Sequence, residues 1–118
     1  MRLKTSIIKE TIELEQNGEV AKSIPFTFDA SARWAEVNRY RFKMAQAKDN
    51  PEEIGKLFMD MLSIVLGPAA NELVDYYNGN YEGMIIDIAP LFIEVIYPAC
   101  DAAHKKAING LKMAKKRG

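Results

Sequence analysis

The stretch IELEQNGEVAKSIPF, residues 12–26, decides how this chain begins, and its reading turns on Asn17-Gly18. That pair between two runs of alternating character is a strong short-range signal for a β-hairpin. A two-residue Asn-Gly loop pairs Gln16 with Glu19, which sets Leu14 opposite Ala21 and Ile12 opposite Ser23. The apolar residues of both strands, however, fall at even positions: Ile8, Ile12 and Leu14 in the first, Val20, Ile24, Phe26 and Phe28 in the second. Side chains alternate with a period of two, so a one-residue slip moves a whole set to the other face. A three-residue loop, Gln16-Asn17-Gly18 with Gly18 left-handed, restores the match by facing Leu14 with Val20 and Ile8 with Phe26. The expected hairpin thus presents Ile8, Ile12, Leu14, Val20, Ile24 and Phe26 on one face. Lys9, Thr11, Glu13, Ser23 and Thr27 stay wet on the other. A two-stranded ribbon is marginal alone, so the apolar face must lie as a lid on something else, or the exposed edge must join a neighbouring strand.

What it covers is helical. Asp29 is placed to cap a helix over residues 30–47, with Ala30, Trp34, Val37 and Met44 as its inward stripe. Asn50-Pro51-Glu52-Glu53 is a second start: a capping asparagine, a proline at the first helical position and a capping-box carboxylate. Ile54, Leu57, Phe58, Met61, Leu62 and Val65 then recur at three- and four-residue spacing. Gly67 stops this helix, and Pro68 opens a short third one that ends at Asn78-Gly79. A fourth stripe follows in Met84, Ile85, Ile88, Leu91, Phe92, Val95, Ile96 and Ala99. Proline lacks a backbone donor and clashes with the preceding turn. Pro90 therefore predicts a kink near Asp87 or a separate turn over 81–87, and Pro98 a bend or break before a last helix over 99–113. The expectation is one α+β, mostly helical domain spanning 1–118. It has a β-hairpin over 1–28, four or five helices packed as a small bundle over 29–113, and a frayed basic tail over 114–118.

Composition bounds what such a domain does. Its 118 residues suffice for one core, and 48% are hydrophobic, enough to fold. Sixteen basic and sixteen acidic side chains cancel, so net charge argues for neither nucleic acid nor an anionic membrane. The single Cys100 excludes an internal disulfide and fits a reducing cytosol. The N-terminus carries charges where a signal peptide has its apolar run. The greasiest segment, MIIDIAPLFIEVIYPAC, contains Asp87, Glu94 and two prolines, and reads as too short and too interrupted to span a bilayer. The chain reads as soluble and intracellular.

No catalytic set stands out. His104 is the only histidine, and Cys100, Asp101 and His104 share a helix face. Zinc wants three or four protein ligands and no second cluster supplies them, so no metal is expected. A Cys-His nucleophile pair lacks anything to orient it. Asp60, Asp75, Asp87 and Glu94 sit at stripe edges, as solvated helix faces do. No phosphate loop, dinucleotide fingerprint or nucleophile elbow is present, so neither cofactor nor enzymatic activity is expected. Residues 33–48, RWAEVNRYRFKMAQAK, set five basic residues against Glu36 with Trp34, Tyr40 and Phe42 interleaved. That composition suits nucleic acid, but equally a helix with aromatics inward and basic residues outward. The lysines near the C-terminus, Lys105, Lys106, Lys112, Lys115 and Lys116, suit the negative end of a helix. Tyr76, Tyr77 and Tyr81 cluster around Asn78-Gly79-Asn80 beside Met84, a composition common to partner surfaces and to cores alike.

The order of elements has a further implication. A short hairpin ending in PFTFDAS leads to a charged helix. IGKLFMDMLSIVLGPAANELV and a turn follow, then IIDIAPLFIEVIYPAC and a basic end. This resembles the small tail assembly chaperones of long-tailed (siphovirus-type) phages and prophages of Gram-positive bacteria, most of all over FMDMLSIVLGPAANELV, residues 58–74. The resemblance implies a non-enzymatic protein that binds the long helical tape measure protein while tail-tube subunits polymerise around it. It implies residence in the host cytoplasm and absence from the mature virion. It also implies a longer frameshifted form, for which the lysine codons of Ala114-Lys115-Lys116 are the candidate slippery site. Such a chaperone needs an apolar groove or rim and is compatible with homo-oligomers. Methionine, present six times, adapts to irregular clients. Tyr76, Tyr77, Tyr81, Met84 and Phe92 are the expected client surface. The rival readings are another phage structural component, of tail-completion or head-tail connector type, and a nucleic-acid-binding regulator using helix 33–48.

Overall fold

The computed structural model describes Met1 and residues 6–117, so the first residues of the expected hairpin and the last of the expected tail lie outside the described residues. Strands β1 (Ile7–Gln16) and β2 (Glu19–Asp29) form an antiparallel two-stranded sheet. Four helical rods follow: α1 (Ala30–Gln46), α2 (Pro51–Leu66), α3 (Ala69–Tyr77), and a long last rod. That rod runs through α4 (Tyr81–Leu91), a π turn (Phe92–Ile96) and α5 (Tyr97–Arg117) without interruption. The fold is α+β and mostly helical.

The hairpin reaches the expected parity by a different route. Its loop has two residues, with Asn17 at φ 55° and Gly18 at φ 81°, the doubly left-handed geometry of a type I′ turn. Gln16 accordingly pairs with Glu19 and Glu15 with Val20. The register then shifts: Leu14 pairs with Lys22, leaving Ala21 as the extra residue of a β-bulge. From there Ile12 faces Ile24 and Ile8 faces Phe28, not Phe26. The three-residue loop is therefore incorrect, because asparagine tolerates the left-handed region and the bulge supplies the missing residue. The bulge also turns Val20 away from the apolar face, leaving it 49% exposed. Leu14, Ile24, Phe26 and Phe28 are buried, Ile8 and Ile12 half-buried, and Lys9, Thr11, Glu13, Ser23 and Thr27 exposed, as the alternation predicts.

The helix starts follow the capping residues. Asp29 accepts from the Ala32 N–H at 3.3 Å, and Asn50 from the Glu53 N–H at 3.2 Å. Each satisfies a donor that the first helical turn leaves unpaired. Gly67, at φ 57°, ends α2, and Asn78 in the left-handed region ends α3. On α2, Phe58, Met61, Leu62 and Val65 are buried, and they form the centre of the core with Leu73, Met84, Phe92, Ile96 and the inward hairpin residues. The Phe58 and Phe92 rings meet at 5.0 Å between centroids. Trp34 near the start of α1 stacks on His104, while Arg41 further along reaches Asp101, so α1 and α5 run antiparallel.

The last rod departs most from expectation. Neither proline breaks it. The ring of a proline clashes with the carbonyl four residues back, which for Pro98 is Glu94, and Glu94 lies within the π turn. There the Tyr97 N–H reaches Phe92 O in a wider turn, which relieves that clash. From Tyr81 to Lys116 the rod is long and apolar enough to cross a bilayer by length and mean hydropathy alone. The prolines thus do not interrupt it as expected. Its inward residues Met84, Ile88, Phe92, Ile96 and Cys100 are buried against the rest of the domain, and 28% of its most apolar stretch is buried in all. The helix also continues to Arg117, past the expected end at Met113.

Candidate functional site

Two depressions flank the α3–α4 turn, and the three expected client tyrosines divide between them. The first lies between the hairpin end and the helices. Ile12, Glu13, Leu14, Glu15 and Gln16 of β1 face Leu73, Tyr76, Tyr77, Asp87 and Ile88 across a cleft of about 510 Å³. Its two tyrosines are tied down: Gln16 Nε2 donates to Tyr76 Oη at 2.7 Å, and Tyr77 Oη donates to Asp87 Oδ2 at 2.7 Å. Burial, and then the Asp87 hydrogen bond, push the Tyr77 phenol up to about 12. A phenol held protonated in this way is a fixed donor, which staples α3 to α4.

The second depression is apolar and runs between α2 and α4. One part, about 460 Å³, is lined by Lys48, Asp49, Pro51, Ile54, Gly55, Phe58 and Ile85. The adjoining part, about 380 Å³, is lined by Gly55, Lys56, Met59, Tyr81 and Ile85. The parts share Gly55 and Ile85, which makes them one groove. Gly55 lies mid-helix, and a Cβ built on it meets nothing within 4 Å. The groove floor is thus bare backbone where any other residue would place a side chain. On the outer side of the last rod, Ile86 of α4 and Ile93 at the start of the π turn are 71% and 64% exposed. Tyr81, half-exposed at the groove end, joins the groove to that side.

Of the five expected client residues, only Tyr81 lines this groove. Tyr76 and Tyr77 are half-buried in the other cleft, whereas Met84 and Phe92 are fully buried and cannot touch a client. The correction has a simple cause. Met84, Ile88, Phe92 and Ile96 are spaced by four along one side of the rod, and that side is buried in the core, with Phe92 against Phe58 of α2. Their place in an apolar stripe already carried this signal. Gly55 and Met59 were missed, and the signal for them was a glycine inside an otherwise strong helical pattern.

The remaining constellations separate. Cys100 is buried, and burial pushes its thiol up to about 11. Asp101 takes the Arg41 guanidinium at 2.8 Å, and His104 stacks on Trp34 at 4.5 Å. No three His, Cys, Asp or Glu side chains converge among the described residues. Asp60, Asp75, Asp87 and Glu94 are all exposed. On the basic helix Arg33 pairs with Glu36, and Arg41 lies 4.1 Å over the Tyr97 ring, while Phe42 points outward. Compared with known proteins, the chain matches no family model, no curated protein and no solved structure.

Proposed function

We propose that this chain is a non-enzymatic assembly chaperone that holds an amphipathic helix of its client in the groove between α2 and α4. The observation that carries the reading is the groove itself: open, lined by Ile54, Phe58, Met59, Tyr81 and Ile85, and floored by bare backbone at Gly55. A helix seats its apolar face in such a channel through residues one turn apart, and a glycine floor lets it approach closely. Met59 adapts to differing client side chains. The order of elements resembles the tail assembly chaperones of long-tailed phages, and on that resemblance the client is the tape measure protein, met in the host cytoplasm before tail-tube subunits enclose it.

The test is co-expression with a tape measure protein from the same genome, followed by affinity capture of this chain. The wild type brings the client down in soluble form. Gly55→Trp, which plugs the groove from a position with open space around it, loses the client while keeping its own thermal transition. Capture unchanged by the plug sinks the groove as the binding site. Recovery of the chain from purified virions points instead to a structural component of the particle.

A further inference from the structure

We infer that the last turns of α5, residues 108–116, are a second docking surface, built for an acidic amphipathic helix of a partner protein. It lies apart from the groove between α2 and α4 and does not depend on the reading of that groove. Along α5 the residues Cys100, Ala103 and Ala107 form one inward stripe at three- and four-residue spacing, buried or half-buried beside α1. The stripe continues through Gly110, Leu111 and Ala114, but α1 does not accompany it. Antiparallel α1 begins at Ala30, and its Trp34 already meets His104. From Ile108 to Lys116 every residue is exposed, Leu111 at 69%. A packing seam therefore runs on past the end of its partner.

The chemistry of this end selects its occupant. Between Ala102 and Lys116 the sequence carries Lys105, Lys106, Lys112, Lys115 and Lys116 and no acidic residue. Two copies of this segment would repel each other, since like charges on packed helices destabilise. A helix with glutamates or aspartates beside its apolar stripe instead gains at each lysine. The stripe is narrow, with Leu111 and Ile108 among alanines and a glycine. Small residues of this kind allow a second helix to approach closely, as α1 does over Ala103 and Ala107. Helices that lie on membranes carry a broad face of bulky residues instead.

The full chain is titrated with three probes: a synthetic amphipathic helix with leucine core positions and glutamate flanks, the same helix with lysine flanks, and vesicles of phosphatidylglycerol and phosphatidylcholine. The expected result is binding of the glutamate helix alone, weakening as salt rises. Leu111→Asp weakens it by about tenfold or more, the loss of one buried leucine contact. The double variant Lys112→Glu with Lys115→Glu takes the lysine-flanked helix in its place. These side chains are exposed, so both variants keep the wild-type thermal transition. Equal binding of both peptides, binding unaffected by Leu111→Asp, preference for vesicles, or no binding overturns the inference.

Discussion

The backbone N–H of Tyr97 donates to the carbonyl oxygen of Phe92, one residue further back than an α-helix allows, and Pro98 follows directly. The wide turn sets the phase of the whole last rod. On α4 the buried residues are Met84 and Ile88, and on α5 they are Cys100 and Ala103. An uninterrupted α-helix advances about 100° per residue, so a regular α-helix over these same residues would turn one of these sets out of the core.

Two variants separate the turn from the proline. Pro98→Ala changes stability by less than about 1 kcal/mol, well short of the roughly 3 kcal/mol proline costs inside a regular helix, because the wide turn has already relieved the clash. Deleting Glu94 removes the extra residue and closes the turn into a regular α-helix, which keeps Ile96 and Cys100 in phase but restores the clash at Pro98, a cost of about 3 kcal/mol. Urea unfolding monitored by circular dichroism measures both. A large gain from Pro98→Ala would mean that the turn does not accommodate the ring.

The hairpin offers a parallel test. Ala21 is the bulged residue that brings Leu14, Ile24 and Phe28 to one face. Deleting it keeps the Asn17-Gly18 turn and the pairs Leu14–Lys22, Ile12–Ile24 and Ile8–Phe28, so the ribbon becomes regular and the domain should still fold cooperatively, within about 1 kcal/mol of wild type. Gly18→Ala, which forces a Cβ into φ 81°, costs more, about 1–2 kcal/mol. Thermal melts of the two variants distinguish them.

These two elements also show what the sequence could tell. Even-position parity placed the hairpin face correctly except at Val20, because a period of two survives any loop that preserves it beyond the bulge. Loop and bulge could not be separated, since a three-residue loop and a two-residue loop with one bulge give the same parity at Leu14. The caps at Asp29 and Asn50 were legible, being local side-chain chemistry. Pro90 and Pro98 were not, because a proline's effect depends on whether the preceding turn can widen. Of the expected client residues, Tyr81 lies on the apolar groove, whereas Met84 and Phe92 lie in the core. Closeness along the chain outweighed the helical stripe that turns both inward. Gly55 escaped notice because a bare patch of backbone matters only once α4 is seen beside it.

Stability should decline on the alkaline side through three groups. Burial pushes the Cys100 thiol from 9.0 up to about 11 and, with the Asp87 hydrogen bond, the Tyr77 phenol from 10.0 up to about 12; burial also raises Tyr97. The folded state holds these protons where the unfolded chain has lost them, so unfolding releases protons and stability falls as pH rises. The contribution is intact below about pH 9 and is lost between about 9 and 12. Urea midpoints across that range check it, and Tyr77→Phe should flatten the upper part. Below pH 9 a thiol reagent should reach Cys100 only as fast as the domain opens.

Arg41 and Phe42 are neighbours with opposite prospects. Arg41 donates to Asp101 at 2.8 Å and to Asn38 at 3.1 Å, and its guanidinium covers Tyr97. A guanidinium can lie flat on the ring while donating to both acceptors and an ammonium cannot, so Arg41→Lys recovers only part of the loss in Arg41→Ala, about 1 kcal/mol for a partly exposed group. Phe42 is exposed and outside the core, so Phe42→Ser should stay within about 0.5 kcal/mol of wild type. Denaturant titrations that rank the two the other way would contradict the α1–α5 contact.

Gly55 ties stability to the proposed groove. A mid-helix glycine costs about 0.5–1 kcal/mol relative to alanine, and here nothing stands in the way of a Cβ. Gly55→Ala should therefore raise the unfolding free energy by about that amount. The same methyl group stands on the floor between Ile54, Phe58 and Ile85, where a client helix is proposed to lie, so the gain should come with weaker client capture. Gly110→Ala provides the control, since its Cβ also meets nothing within 4 Å and it lies far from the groove. It should gain stability with capture through the groove unchanged. If both alanine variants gain stability and neither loses the client, the bare floor at Gly55 has no part in binding.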